Sequence, residues 1–323
     1  MPETPVPLKR PNAISLVRIR DRLSFVYLDR CTIAQDENGV LARIESEDSD
    51  RRTTVYLPIS SITTLLLGPG TSVTHRAAAS CSQAGCAVSF VGMRGVRSYG
   101  AFLSPYASAE LLQRQAAIVT DPVRRVDAAR RMYLKRFPGP VFEYAPPDVT
   151  IEQLRGMEGA RMKAHYQTLA RRFRLTGWRR NKDQLPLDPV NEALNHANTH
   201  LYGLVNAVVL ALGLAPGLGV IHQGNRQAFT LDIADMYKTD VTIPLAFSLR
   251  KSTDPGREVT SALRKQFTLM KLLPRIVDDI YEVLETEQPG SDDDDWQVNE
   301  LFLWGPNGQV LSGNNFGVGL LEE

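Results

Sequence analysis

Four acidic or imidazole side chains lie in short segments whose composition favours a fixed geometry. They are Glu158 in R-G-M-E-G-A-R (155–161), His222 in G-V-I-H (219–222), and Asp232 and Asp235 in D-I-A-D (232–235). Carboxylate oxygens with one imidazole suit a catalytic divalent cation, either Mg²⁺ or Mn²⁺, and the imidazole shifts the preference towards Mn²⁺. Each residue alone is more often structural, so their co-occurrence carries the prediction of a metal site.

The distribution of charge favours a nucleic-acid partner for the middle of the chain. Residues 111–180 hold fifteen Lys and Arg against six Asp and Glu, and thirteen of the fifteen are Arg. Arg suits bidentate contact with phosphate, and Arg155 and Arg161 flank Glu158 within this segment. The alternative is an ordinary solvated helix face. A metal-dependent enzyme acting on nucleic acid is therefore the leading hypothesis.

Composition excludes several other classes of protein. The 323 residues contain no run of 18 apolar residues, so no membrane span is expected, and the first residues lack the apolar core of a signal peptide. Cys31, Cys81 and Cys86 form an odd set without zinc-ligand spacing. They are expected to be buried, reduced thiols of a cytoplasmic protein.

The fold class predicted from the sequence is α+β, with a small, mostly β domain at residues 1–104. Short β-branched and aromatic runs begin with I-S-L-V-R-I at 14–19, and Asn38-Gly39 between apolar runs predicts a hairpin. One helix is expected from about 74 to 84, with Gly85 as its stop.

A larger, all-helical catalytic domain is predicted at residues 105–287. Thr150 and Gln153 form a capping box for the long helix that carries Glu158, and Asp188-Pro189 begins another helix. Further helices are expected at about 232–250, 257–272 and 274–287.

The acidic tail, residues 288–323, is predicted to contain a short hairpin around G-P-N-G. We expect it either to dock on a partner protein by strand addition or to be disordered.

These motifs together resemble the CRISPR-associated spacer integrase family, most closely its type I-E subtype. The resemblance covers roughly residues 10–285 and rests on R-G-x-E-G-x-R, D-P-V-N at 188–191, G-L-A-P-G-L-G-V-I-H followed by D-I-A-D, and R-E-V at 257–259. Two N-terminal motifs extend it, G-P-G-T-x-V-x-H at 68–75 and G-V-R-x-Y at 95–99.

The resemblance implies a metal-dependent DNA integrase that joins the 3′-hydroxyl ends of a short double-stranded prespacer to the CRISPR repeat by transesterification. It implies homodimers that flank a small ferredoxin-like partner protein in a heterohexamer. Glu158, His222 and Asp235 would be the metal ligands, and Asp232 a further acidic residue needed for activity. Together with Arg155 and Arg161, the expected DNA contacts are His75, Arg97, Lys238 and Arg264.

Some positions depart from the subtype, and other functions stay open. Asn225 and Leu231 stand where better-known relatives have Lys and Tyr, which puts the flanking-motif preference in doubt, and Arg30 replaces a Tyr that can stack on the DNA end.

His196 and His200 have a zinc-compatible spacing but no third ligand, so polar helix packing is preferred. The alternative functions are a metal-dependent endonuclease on branched DNA and a non-catalytic DNA-binding scaffold.

Overall fold

The structure is a computed structural model, and it describes most of the chain between Val26 and Glu285. The described residues are 26–45, 52–62, 64–92, 98–102, 109–181, 187–269 and 271–285, together with 302–305 and 308–311. The predicted strand at 14–19, Arg97 and the Asp run at 292–295 lie outside these residues.

The N-terminal part consists of two sheets. Its strands are β1 (Val26–Leu28), β2 (Cys31–Asp36), β3 (Gly39–Glu45), β4 (Arg52–Tyr56), β5 (Thr64–Leu67), β6 (Ser72–Val73), β7 (Ala87–Val91) and β8 (Ser98–Phe102). One sheet has the order β1-β5-β7-β8, with the first three strands parallel and β8 antiparallel at the edge. The other has the order β4-β3-β2-β6, and only its β2–β6 pair is parallel.

The hairpin predicted at Asn38-Gly39 is confirmed, but its turn lies one residue earlier. Asp36 pairs with Gly39 across the two strands, so Glu37 and Asn38 form the turn. The Asp36 carboxylate accepts a hydrogen bond from the Asn38 amide at 2.8 Å, which is the local turn that Asp side chains favour. Gly39 therefore begins β3 instead of completing the turn.

The helix expected after the G-P-G-T segment is also confirmed, as α1 (His75–Gln83). The Thr74 hydroxyl accepts a hydrogen bond from the Ala77 amide, and Gly85 follows the helix with φ of +67°. This helix contacts strands of both sheets and buries its Cys81 in their core. All three cysteines are buried and free of disulfides.

The rest of the described chain is mainly helical. Its helices are α2 (Glu110–Thr120), α3 (Pro122–Arg136), α4 (Pro140–Glu143), α5 (Ile151–Arg172), α6 (Pro189–Ala211), α7 (Ala228–Asp235), α8 (Ile243–Ser248), α9 (Pro255–Leu269) and α10 (Leu272–Val283). The predicted capping box of Thr150 and Gln153 is present at α5, and Asp188 caps α6 with Pro189 as its first residue. The buried helix α6 contacts α7, α8 and α9, and it also touches β5 and β7.

The single helix predicted at about 232–250 is wrong in its start and in its continuity. Helix α7 begins four residues earlier, and a π-helical turn, Lys238–Thr242, separates it from α8. Pro244 lies in the first turn of α8 and has no amide hydrogen to continue a regular helical pattern, which accounts for a break here. Asp235 is therefore the last residue of α7, and not part of a helix N-terminus.

The tail hairpin is confirmed in the segments that the structure describes there. Strands β9 (Phe302–Gly305) and β10 (Gly308–Leu311) pair antiparallel, with Gly305 opposite Gly308. None of the described helices is long and apolar enough to cross a membrane.

Candidate functional site

The four candidate residues meet in one pocket of the helical part. Glu158 comes from α5, Asp232 and Asp235 come from α7, and His222 comes from the loop between α6 and α7. Arg155 of α5 also lines the pocket. Helix α3 contributes three more lining side chains, those of Met132, Tyr133 and Arg136. The structure thus brings together residues that are up to 77 positions apart in the sequence.

Asp232 is the buried anchor of the loop that carries His222. Its side chain is fully buried, and both of its oxygens are used by that loop. Oδ2 accepts hydrogen bonds from the amides of Val220 at 2.6 Å and Ile221 at 2.9 Å. Oδ1 accepts from the His222 amide at 2.9 Å and lies 2.6 Å from His222 Nδ1. Asp232 is therefore committed to positioning, and its oxygens are not free to bind an ion.

His222 is held in one tautomer by this contact. The Asp232 carboxylate only accepts hydrogen bonds, so the proton lies on Nδ1 and leaves the lone pair of Nε2 free when the ring is neutral. The hydrogen bond to Asp232 raises the pKa of His222 and outweighs the opposite effect of burial. A carboxylate behind a histidine is the usual arrangement for orienting a metal-binding imidazole.

The loop before His222 is fixed at further points. A side-chain carbon at Gly219 would lie 2.3 Å from the His222 carbonyl oxygen and 2.6 Å from the Ala228 side chain, so only glycine fits there. The buried Gln115 of α2 makes hydrogen bonds with Ala215 and Leu218 backbone groups at 2.9–3.0 Å. A rigid loop of this kind sets the direction of the imidazole.

Arg125 of α3 adds one more support to the same loop. Its Nε donates a hydrogen bond to the Val220 carbonyl oxygen at 2.7 Å. Val220 also donates its amide to Asp232, so both backbone polar groups of this residue are satisfied by side chains. Sequence reasoning missed Gln115 and Arg125, because nothing in their local sequence distinguishes them from other polar helix residues.

Two cations surround Asp235. Lys238 forms an ion pair with Oδ1, and Arg136 Nη1 lies 3.7 Å from Oδ2. Burial opposes the ionisation of Asp235, but Lys238 and Arg136 outweigh it and hold the pKa of Asp235 below its ordinary value. Burial likewise opposes the charge of Lys238, but Asp235 outweighs it and raises the pKa of Lys238. Both side chains are therefore charged at neutral pH.

Arg136 also joins Glu158 to this network. Its Nη1 lies 2.8 Å from Glu158 Oε1, and only 4% of the Arg136 side chain is exposed. The guanidinium thus bridges carboxylates from α5 and α7. Sequence reasoning did not single out Arg136, because it is one of many arginines in a basic segment and lies 22 residues before Glu158.

The chemistry of the donor set fits a divalent cation, although the donors have not converged on one point. Two carboxylates and an imidazole nitrogen that Asp232 leaves free face one pocket. In the part of the chain that the structure describes, no three His, Cys, Asp or Glu side chains are close enough to hold an ion. Binding an ion therefore requires the side chains of Glu158, His222 and Asp235 to move closer to one another.

The predicted DNA contacts fall in different places. Arg155 lines the pocket and is exposed, and Arg161 lies nearly two turns further along α5. Lys238 is ion-paired in the site, with its ammonium 4.8 Å from the centre of the Tyr202 ring. His75 is exposed at the start of α1, far along the chain from the pocket residues.

Arg97 and Arg264 were also predicted to contact DNA. Arg97 and the side chain of Arg264 lie outside the residues that the structure describes.

His196 and His200, considered for zinc, both contact α9: a side-chain carbon at Gly256 would lie 3.0 Å from His196 Nε2, and His200 Nε2 is 3.1 Å from the Thr260 hydroxyl. Polar helix packing therefore describes both histidines.

A second concave surface lies along the C-terminal half of α5 and the segment that follows it. We call it the basic groove, and its cationic and aromatic lining residues are Lys163, Tyr166, Arg171, Arg174, Trp178, Arg179 and Arg180. Arg180 is tied to α6 by hydrogen bonds to Asn191 at 2.9 Å and Asn195 at 2.6 Å. The remaining cations give the groove a positive surface with two aromatic rings.

Comparison with known proteins assigns the chain to a family. A family model described as "CRISPR associated protein Cas1" matches residues 142–257. The chain is 34% identical over 310 residues to the CRISPR-associated endonuclease Cas1 of Clostridium sp. (strain SY8519), covering 93% of this chain and 97% of that protein. It is 33% identical over 311 residues to the Cas1 endonuclease of Escherichia coli (strain K12), covering 91% and 92%.

A solved structure supports the same assignment. The crystal structure of the TtCas1–DNA complex superposes with a TM-score of 0.67 at 32% identity, covering 83% of this chain and 99% of that chain. The strand-rich N-terminal part and the helical part that follows match such structures, which confirms the predicted fold class. The relatives and the fold define a CRISPR-associated protein. More specifically, the chain belongs to the Cas1 family.

Proposed function

We propose that this protein is a divalent-metal-dependent DNA integrase of CRISPR adaptation. It joins the 3′-hydroxyl ends of a short double-stranded prespacer to the CRISPR repeat by transesterification. The observation that carries the proposal is the pocket itself: Glu158 and Asp235 face an imidazole whose Nε2 is left free by the Asp232 contact. The names of the relatives and the TtCas1–DNA structure supply the DNA substrate class.

The pocket residues have different proposed roles: some would bind the metal ion, one positions the imidazole, and one would bind phosphate. Glu158, Asp235 and His222 would hold Mg²⁺ or Mn²⁺. When bound, such an ion polarises a phosphodiester and offsets the charge on the leaving oxygen. Asp232 holds the His222 proton at Nδ1, which leaves Nε2 without a proton in the neutral ring, and it directs the imidazole. The exposed Arg155 would bind a phosphate beside the carboxylates.

The basic groove supports DNA as the substrate. Cationic side chains beside exposed or half-buried aromatic rings bind single-stranded nucleic acid by charge and by stacking. Gly159 lines the groove and directly follows Glu158 of the pocket in the chain, and we propose that a strand bound in the groove continues to the pocket. His75, Arg97, Arg161, Lys238 and Arg264 remain proposed DNA contacts.

Subtype, assembly and location belong to the same proposal. The motifs R-G-x-E-G-x-R and D-I-A-D-x-x-K support the type I-E subtype. We infer a homodimer that joins a small ferredoxin-like partner in a heterohexamer in the cytoplasm, with the tail hairpin as a candidate docking strand. Asn225 and Leu231 suggest that its flanking-motif preference differs from that of better-known relatives.

Strand transfer tests the proposed function directly. The protein and its small partner are mixed with a labelled 3′-hydroxyl duplex, a supercoiled plasmid carrying a CRISPR repeat, and Mg²⁺ or Mn²⁺. We expect label to join the plasmid, and to be absent with a blocked 3′ end or with Glu158→Gln. The matched control is Glu152→Gln, an exposed residue on the same helix outside the pocket, which should join at the wild-type rate.

The other outcomes separate the competing functions. Cleavage of branched DNA that does not need a 3′-hydroxyl would favour the endonuclease, which the names of the relatives also suggest. DNA binding that survives neutralisation of all four acidic and imidazole residues, with neither joining nor cleavage by the wild type, would favour a non-catalytic scaffold.

A further inference from the structure

We propose that Arg136 is the built-in counter-cation of the metal site. It holds Glu158 and Asp235 at the pocket when no divalent ion is bound, and it competes with the ion for both carboxylates. The inference rests on the proposed metal site and assigns a role to a residue of α3.

The geometry places one nitrogen between two carboxylates. Arg136 Nη1 lies 2.8 Å from Glu158 Oε1 and 3.7 Å from Asp235 Oδ2. The other end of the guanidinium is held as well, because Nη2 lies 3.0 Å from the Met162 sulfur. The group also lies 5.0 Å from the centre of the Phe137 ring. A buried guanidinium with these contacts has a defined position and is not a surface charge that happens to lie nearby.

The two carboxylates need such a cation. Asp235 is the last residue of α7, where the partial negative charge of the helix end disfavours a carboxylate. Lys238 pairs with Asp235 through Oδ1, which leaves Asp235 Oδ2 and Glu158 Oε1 on the side of Arg136. Without Arg136, like charges from α5 and α7 would face each other in a partly buried pocket, which is unfavourable.

The position of Arg136 also explains why it would compete with a divalent ion for the two carboxylates. A divalent ion bound by Glu158 and Asp235 must approach the oxygens that now contact the guanidinium. It would also meet the positive charges of Arg136 and Lys238, and such repulsion is strong where water is largely excluded. The donor set therefore binds an ion more weakly in the presence of Arg136 than it would alone.

The test uses the purified full-length protein without DNA and with Mn²⁺ as the probe. The dissociation constant is measured by the electron paramagnetic resonance signal of free Mn²⁺, and thermal unfolding is recorded with and without the ion. We expect Arg136→Gln to unfold at a lower temperature than the wild type without metal, and to bind Mn²⁺ roughly tenfold more tightly. Mn²⁺ should therefore raise its unfolding temperature more than that of the wild type.

A matched control lies on the same helix. Arg131 forms an ion pair with Glu285 at 2.8 Å and a hydrogen bond to the Val283 carbonyl, both away from the pocket. Arg131→Gln should lower the unfolding temperature but leave the Mn²⁺ dissociation constant unchanged. If it tightened Mn²⁺ binding as much as Arg136→Gln does, a general loss of positive charge would explain the effect and the inference would be wrong.

The remaining outcomes separate the inference from the metal site on which it rests. Wild-type Mn²⁺ binding that is lost in His222→Gln supports the site; Arg136→Gln binding no more tightly than the wild type would then overturn the role of Arg136 alone. If the wild type shows no His222-dependent binding, the site and the inference both fail. Should Arg136→Gln not fold, Arg136→Met removes the charge while keeping a long side chain, and it must also bind Mn²⁺ more tightly than the wild type.

Discussion

Replacing Asp232 by Asn removes one acceptor from the anchor of the His222 loop without changing its shape. Each Asp232 oxygen accepts from two groups, with distances of 2.6–2.9 Å. The amide nitrogen of Asn donates, so two of the four groups lose their acceptor whichever way the side chain turns. Because hydrogen bonds to a charged group contribute about 1.5–3 kcal/mol each, we expect the loss of two to lower the free energy of unfolding by about 3–6 kcal/mol.

The lower end of this range corresponds to a specific rearrangement. If the amide faces His222, the ring can accept at Nδ1 only by moving its proton to Nε2. Such a ring can no longer offer Nε2 to an ion, so a folded Asp232→Asn protein should bind DNA normally but lose strand transfer.

Urea unfolding at neutral pH without divalent ions measures the loss. Thr230→Val is the matched control, since Thr230 lies on the same helix and donates a neutral, buried hydrogen bond to Asn206 at 3.1 Å. It should cost about 1 kcal/mol. A loss for Asp232→Asn no larger than for Thr230→Val would refute the anchoring role. Wild-type strand transfer by folded Asp232→Asn would refute the need for a fixed imidazole.

Three further predictions concern the elements around the pocket. Gly156→Ala and Gly159→Ala should each stabilise α5 by about 1 kcal/mol in urea unfolding, because the added carbon meets nothing within 4 Å; no gain would mean that the helix needs glycine there. Gly219→Ala should destabilise by about 2 kcal/mol by overpacking the loop, and a neutral effect in the same assay would show that the loop can relax. Burial opposes the ionisation of Asp188, but hydrogen bonds from Asn191 and Trp178 outweigh it and lower the pKa of Asp188. Its carboxylate therefore stabilises the protein above the unfolded pKa of about 3.9, and this contribution is lost as the pH falls through the lower folded value. Asp188→Asn should accordingly show a weaker loss of stability than the wild type in acid titrations followed by circular dichroism, and an identical acid profile would contradict the assignment.

Local signals predicted the ends of several elements correctly. Thr150 with Gln153, and Asp188 before Pro189, mark helix starts because their side chains satisfy amides only two or three residues away. Gly85 marks a helix end for an equally local reason, its positive φ. Such contacts need no knowledge of the fold.

Predictions that depended on longer stretches were less accurate. The helix expected at about 232–250 is divided by a π-helical turn and starts at Ala228. This start follows a loop held by distant residues such as Gln115, and the apolar pattern of the segment does not record it. The difference matters because the observed end of α7 falls at Asp235. A carboxylate at the end of a helix needs nearby cations.

The sequence by itself determined which residues to expect in one pocket, and it predicted a chemistry for them. Residue types and spacing indicated Glu158, His222, Asp232 and Asp235, which line one pocket in the structure, and the order of the motifs indicated the family. The family and the grouping of these residues could be predicted because the candidate groups lie in short segments with distinctive composition.

Only the tertiary structure decided how these groups divide their roles. It showed that the Asp232 oxygens already accept hydrogen bonds from backbone amides and from His222. It also showed that Arg136 from α3 lies between Glu158 and Asp235. Both facts depend on distances between segments far apart in the chain, and those distances are set by the packing of α3, α5 and α7. Electrostatic partnership follows spatial proximity, which the order of residues does not specify.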